Sequence, residues 1–168
     1  QARSLLLESL SLYEETKGRE HPYVAAALTQ LAMLESKVGN YDGALSLLMR
    51  ALAINERSYG GDNPEIAGNL YEIGLAERAL GNGKSSRQRF ERALEIQNAA
   101  VDQYHPFVAS TLIELAEARR QDGDRSGAGA LLQRALQIQE RSLGRDHPAV
   151  AQTLTTLGYL EGQSTKFS

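Results

Sequence analysis

Four prolines divide the chain at intervals of 42 residues, and so regular a period leaves few folds open to it. They are Pro22, Pro64, Pro106 and Pro148. Alanine follows each proline after three residues, leucine follows after six, and the sequence Arg-Ala-Leu-x-Ile recurs at 50–54, 92–96 and 134–138. A repeat of about 20 to 50 residues is the signature of stacked repeat architectures. The chain is therefore predicted to be an array of similar units.

Within one period the apolar residues have the spacing of an amphipathic helix. Val24, Leu28 and Leu31 follow one another at intervals of four and three residues, which places them on one helix face. Proline suits the first turn of a helix, so the residue before each proline is predicted to be the N-cap. These N-cap residues are His21, Asn63, His105 and His147. Glycine is predicted to end most helices, since it adopts a left-handed backbone without strain.

Each period therefore predicts two helices, and the chain eight. First helices are expected at 22–37, 64–79, 106–121 and 148–161, and second helices at 1–16, 42–58, 84–101 and 126–142. We assign 1–168 to one repeat domain: 1–21 is the second helix of a partial repeat, 22–63, 64–105 and 106–147 are full repeats, 148–161 is the first helix of a last partial repeat, and 162–168 is a tail. The fold class is all-α, because no strand pattern occurs.

Small and large apolar residues alternate at fixed positions, which resembles the tetratricopeptide repeat. The pattern is Leu28, Leu31, Ala32, Ala44, Leu48, Ala51, then Leu70, Ile73, Gly74, Ser86, Phe90, Ala93, then Leu112, Leu115, Ala116, Ala128, Leu132, Ala135. The 42-residue period and phrases such as HPYVAAAL and HPFVASTL are similar to the kinesin-light-chain and nephrocystin-like type. The resemblance implies an α-solenoid, a right-handed superhelix of stacked antiparallel helix pairs.

The sequence departs from the family at positions that often carry function. The aromatic residue expected three after the small position is replaced by Glu35, Glu77, Arg119 and Glu161. The paired asparagines of the light-chain type are replaced by 29–30, 71–72, 113–114 and 155–156, and the Lys and Asn set that clamps a terminal carboxylate is absent. No known peptide specificity is therefore carried over.

The resemblance implies a concave groove lined by the first helices. The groove residues are predicted to be Thr29, Met33, Lys37, Tyr71, Leu75, Arg78, Ile113, Glu117, Arg120, Thr155 and Tyr159. Apolar side chains beside cations suit a peptide with apolar anchors and acidic residues. Two alternatives stay open: Met33, Leu75 and Ile113 pack between helices, or the arginines make local pairs, as Glu117 could with Arg120.

Several function classes are disfavoured by the sequence. The chain has 18 Lys and Arg against 21 Asp and Glu, a net charge of −3, which argues against a nucleic-acid partner. No long uncharged apolar run predicts a membrane helix, and the lack of cysteine excludes thiol chemistry. Residues 83–85 read Gly-Lys-Ser, but Arg78 stands where a phosphate-binding loop needs glycine. We predict no enzyme, no cofactor, no metal site and a cytoplasmic location.

The ends of the chain are expected to present apolar residues to missing neighbours. These are Leu6, Leu10 and Tyr13 at the start and Leu157 and Leu160 at the end. Such ends favour further repeats beyond the chain or end-to-end self-association. The leading function is a non-catalytic scaffold or cargo adaptor. The alternatives are a structural spacer or self-association segment, and a regulatory sensor arm of a larger protein.

Overall fold

A computed structural model of the chain describes residues 1–100 and 104–164, with 163 and 164 described by their backbone alone. These residues form eight α-helices and no strand, which confirms the all-α fold class. The helices are α1 (Ala2–Lys17), α2 (Pro22–Lys37), α3 (Tyr41–Tyr59), α4 (Pro64–Ala79), α5 (Gly83–Ala100), α6 (Pro106–Gln121), α7 (Arg125–Leu143) and α8 (Pro148–Ser164).

The helix boundaries agree with the period to within a few residues. The helices α2, α4 and α6 have the predicted bounds, while the second helices start and end within one residue of theirs. Helix α8 continues to Ser164, three residues beyond the predicted end at 161. Asp102, where the sequence breaks the terminal glycine pattern, lies outside the described residues.

Side-chain caps fix the start of each first helix, as predicted. His21 Nδ1 accepts a hydrogen bond from the Tyr23 N–H at 3.2 Å, and Asn63 Oδ1 accepts from the Glu65 N–H at 2.9 Å. The imidazoles of His105 and His147 accept from N–H groups in the same way. Each cap satisfies an N–H that the helix itself leaves unpaired. The histidines therefore serve the repeat turn.

A tight turn with a left-handed glycine joins the two helices of one repeat. Gly39 has φ of 82°, and its N–H donates to the Ser36 carbonyl at 3.0 Å. Connections between consecutive described helices are three or four residues long, so the helices on either side of each connection run antiparallel.

The chain forms two compact units, Gln1–Ile96 and Gln97–Ser168. In unit 1, α2 packs against α1, α3 and α4. Its largest fully buried side chain is Phe90, and Leu48 and Ile73 lie with it in the core. In unit 2, α7 packs against α6 and α8. There Leu132 and Ala116 lie in a cluster with Leu157 and Leu160.

The expectation for the apolar ends was wrong in detail. Leu10 and Tyr13 pack onto the cluster around Val24 and Leu28, and Leu157 and Leu160 are buried in unit 2. The physical reason is that terminal helices turn their main apolar stripe toward the one neighbour they have. Other residues stay uncovered at the ends, chiefly Leu12 in α1 and Leu154 in α8.

Candidate functional site

The predicted binding residues of unit 1 lie on two helices that touch. Helix α2 carries Thr29, Met33 and Lys37, and α4 carries Tyr71, Leu75 and Arg78; α2 and α4 are in direct contact. We call these six residues, together with Glu72 between them, the α2–α4 surface. It is the part of the predicted groove that unit 1 provides.

A chain of buried hydrogen bonds fixes α2 against α4. Asn55 Nδ2 donates to Asn69 Oδ1 at 2.7 Å, and Asn69 Nδ2 donates to Thr29 Oγ1 at 3.0 Å. Thr29 Oγ1 in turn donates to the Ala25 carbonyl at 3.0 Å. Because Asn55 and Asn69 are buried, breaking one link leaves a polar group without a partner in the core. Thr29 therefore acts as the link between the two helices beneath the surface.

The α2–α4 surface combines half-buried apolar side chains with charge. Met33, Tyr71 and Leu75 are half-buried, and the Tyr71 ring lies 5.6 Å from the Phe90 ring, centroid to centroid. Lys37 and Arg78 are exposed in the last turns of α2 and α4. Apolar groups that are already partly desolvated, with charges at their margin, suit an amphipathic ligand.

Glu72 is a feature of this surface that the sequence analysis did not select. Its side chain is half-buried next to Tyr71. Burial raises the pKa of the Glu72 carboxyl, because desolvation disfavours the charged form. The sequence signal was present, since Glu72 follows Tyr71 in a position equivalent to the light-chain asparagines. The burial of that position could not be inferred from residue type.

We expect Glu72→Gln to stabilise unit 1 in a pH-dependent way. At pH 7 the wild type must ionise a half-buried carboxyl, so the variant should raise the free energy of unfolding by on the order of 0.5 kcal/mol after screening by solvent. Below about pH 4 the carboxyl is protonated in both folded and unfolded states, and the gain should vanish. Urea unfolding at both pH values, with the exposed Glu56→Gln as control, measures this. A gain that persists at low pH contradicts the explanation.

The glutamates at the position where the family often has an aromatic residue make structural ion pairs. Glu35 accepts hydrogen bonds from Arg3 Nε and Asn40 Nδ2, both at 2.7 Å. The bond from Arg3, followed by that from Asn40, lowers the pKa of the Glu35 carboxyl. Glu77 accepts a bond from Arg89 Nε at 3.4 Å. These side chains hold neighbouring helices together beside the predicted groove.

Unit 2 brings together its own predicted residues differently. Ile113 packs against the cluster that contains Ala116 and Leu132, as the packing alternative supposed. Glu117 accepts two hydrogen bonds from Arg120, each 2.7 Å long, as the local-pair alternative supposed. These bonds raise the pKa of the Arg120 guanidinium. Its charge is therefore already balanced within α6.

The remaining predicted residues of unit 2 lie on α8. Thr155 is exposed and its Oγ1 donates to the Ala151 carbonyl at 2.8 Å. Tyr159 is 61% exposed. A depression of about 540 Å³ also lies between α7 and α8, lined by Arg125, Ser126, Gly129, Ala130, Gln133, Leu157, Leu160 and Glu161. Its space comes from small residues at 129 and 130, which the repeat pattern did not single out.

Two further searches bear on the predicted absences. Within residues 1–100 and 104–164, no three His, Asp or Glu side chains gather as a metal ion would require. Over the same residues, none of the helices combines the length and the apolar character needed to cross a bilayer.

Comparison with solved structures shows the same architecture. A crystal structure of a Podosopora anserina putative kinesin light chain with nearly identical TPR-like repeats is 24% identical; the match has a TM-score of 0.78 and covers 99% of this chain and 79% of that one. BtubC from P. vanneervenii is 23% identical, with a TM-score of 0.76 over 88% of this chain and 58% of that one. At these identities the likeness concerns the fold.

A third structure contains a ligand. The Yersinia enterocolitica type III secretion chaperone SycD, solved with a peptide of the translocator YopD, is 14% identical, with a TM-score of 0.64 over 82% of this chain and 92% of that one. No curated protein matches the chain significantly. The tetratricopeptide repeat model matches residues 1–57, 23–99, 65–128 and 107–168. Such repeats generally mediate interactions between proteins, and by this match the chain belongs to the tetratricopeptide repeat family.

Proposed function

We propose that the chain is a non-catalytic interaction module that holds a peptide segment of a partner protein on the α2–α4 surface. In this role it serves as a scaffold or cargo adaptor. The observation that carries the proposal is the set of half-buried apolar side chains, Met33, Tyr71 and Leu75, on two helices fixed by the Asn69–Thr29 hydrogen bond. A rigid surface loses little entropy on binding, which favours affinity.

The chemistry of the surface indicates the kind of peptide. Apolar anchors would cover Met33, Tyr71 and Leu75, and an acidic residue would lie near the exposed Lys37. Arg120 contributes less than the sequence suggested, because Glu117 already balances its charge. Thr155 and Tyr159 extend the proposal to a second contact on α8.

Two other observations support the proposal. SycD, a neighbour in fold, was solved with a peptide of the translocator YopD. The proposal also includes a cytoplasmic location, which rests on the absence of cysteine and of N-glycosylation sequons from the sequence.

The α2–α4 surface can be tested without knowing the natural partner. Peptides selected from a random display library on the intact chain provide the probe, and the affinity of the best binder is measured by calorimetry. Tyr71→Ala should weaken binding at least tenfold, or about 1.4 kcal/mol. The matched control is Tyr23→Ala, because Tyr23 is also partly exposed and makes one tilted ring contact, with Tyr13 at 5.5 Å.

A charge reversal supplies the second arm. Lys37→Glu should weaken binding of peptides with acidic residues, while Lys17→Glu, at an exposed site in the last turn of α1, should not. Equal losses from each member of a pair would show that the peptide binds elsewhere. Selected peptides without apolar residues would also contradict the proposal.

A further inference from the structure

Helix α8 has an apolar strip that its own chain leaves open in the described residues. The strip consists of Ala151, Leu154 and Gly158. Leu154 is 50% exposed, whereas the residues at the same repeat position are buried: Leu28 is 1% exposed, Leu70 5% and Leu112 0%. Ala151 is exposed although its equivalents Ala25, Ala67 and Ala109 are buried. The strip is thus a core position of the repeat without its cover.

In a full repeat the second helix provides that cover. Ala51 and Ile54 of α3 lie in one cluster with Ala25 and Leu28 of α2. In the next repeat Phe90 of α5 fills the space at Gly74, where an added Cβ would meet its ring at 2.6 Å. At Gly158 an added Cβ would meet no atom within 4 Å. The socket that Phe90 fills in one repeat is therefore empty on α8.

Helix α1 carries the matching half of the same interface. It stands one period before α3, and the small–large–small positions of the second helix, Ala44, Leu48 and Ala51, correspond to Ala2, Leu6 and Ser9. Leu12 is 58% exposed, whereas its equivalents are buried: Ile54 is 1% exposed, Ile96 2% and Ile138 2%. The opposite side of α1 already packs on α2 through Leu10 and Tyr13. Its exposed side therefore has the residues of a second helix that lacks its first helix.

We infer that α1 of a second copy of this chain covers α8 of the first, as α3 covers α2 within a repeat. Leu12 of one copy then lies against Ala151 and Leu154 of the other, and Leu6 approaches Gly158. The contact continues an interface that the chain already uses between the two helices of a repeat. Because the two surfaces differ, the association is head-to-tail and can extend beyond two copies.

Charge substitutions on the two surfaces test the inference. Sedimentation velocity of the wild-type chain should show a mass that rises with protein concentration, while Leu154→Glu and Leu12→Glu should each remain single chains. Both side chains are at least half exposed, so the folds should persist, which circular dichroism checks. Val38→Glu, in the exposed turn before α3, is the control and should associate like the wild type.

Mixing the two blocked variants separates head-to-tail contact from other modes. One free α8 and one free α1 remain in the mixture, so two-chain species should form and nothing larger. A wild-type chain that stays single at every concentration would overturn the inference. Two-chain species in either variant alone would also overturn it, since they require like surfaces to meet. If Leu154→Glu loses helix content, Ala151→Gln takes its place with the same expected outcomes.

Discussion

Phe90→Ala should lower the free energy of unfolding of unit 1 by about 3–5 kcal/mol. Phe90 is 1% exposed and is the largest fully buried side chain. It touches Gly74, where no side chain exists to move into the space, and its ring contacts Tyr71. The cavity would thus keep most of its volume, which is the condition for a large loss. Urea unfolding followed by circular dichroism measures the change.

The comparison for this prediction is an aromatic residue outside the core. Tyr59 is 47% exposed at the end of α3, and Tyr59→Ala should change the unfolding free energy by less than about 1 kcal/mol. Stacked repeats can unfold in more than one step, so the transition assigned to unit 1 is the one to compare. A loss below about 1 kcal/mol for Phe90→Ala would mean that the core does not close around this ring.

Gly74→Ala should also destabilise unit 1, by about 1–3 kcal/mol, although alanine favours helices. The new Cβ would stand 2.6 Å from the Phe90 ring, which must then shift. The neighbouring repeats avoid this conflict, because Ala32 and Ala116 occur with Leu48 and Leu132 at the position of Phe90. The double change Gly74→Ala with Phe90→Leu reproduces their pairing.

A double-mutant cycle therefore follows directly from the repeat. The double variant should be more stable than the sum of the single losses allows, with a coupling of about 0.5–3 kcal/mol. Chemical unfolding of the four proteins measures that coupling. Gly68→Ala is the control, since an added Cβ there meets nothing within 4 Å. Strictly additive losses would show that the two positions do not share one space.

Much of the fold was predictable because its signals are local. Proline at the first helical position, a capping residue before it and glycine in the turn fix the bounds of α2, α4 and α6. The end of α8 was predicted less well, since no turn glycine marks it. The terminal helices show a second limit: apolar spacing predicts a buried stripe, but a second helix has apolar residues on more than one side. Which of them are covered depends on the neighbours present.

The candidate site was predictable only in outline. The repeat position alone placed Met33, Tyr71 and Leu75 on adjoining first helices. The sequence could not show that Glu117 holds Arg120, because the choice between a local pair and a ligand depends on side-chain conformation. Nor could it show that Glu72 is half-buried, since burial depends on how closely α2 and α4 approach. Such properties arise from packing between elements and have no local signature.

The most direct measurement is an NMR amide spectrum of the intact chain with and without a library-selected peptide. The account predicts shifts concentrated in α2 and α4, around residues 29–37 and 71–78, with α3 almost unchanged. Shifts concentrated in α3, on the second-helix side of unit 1, would contradict it.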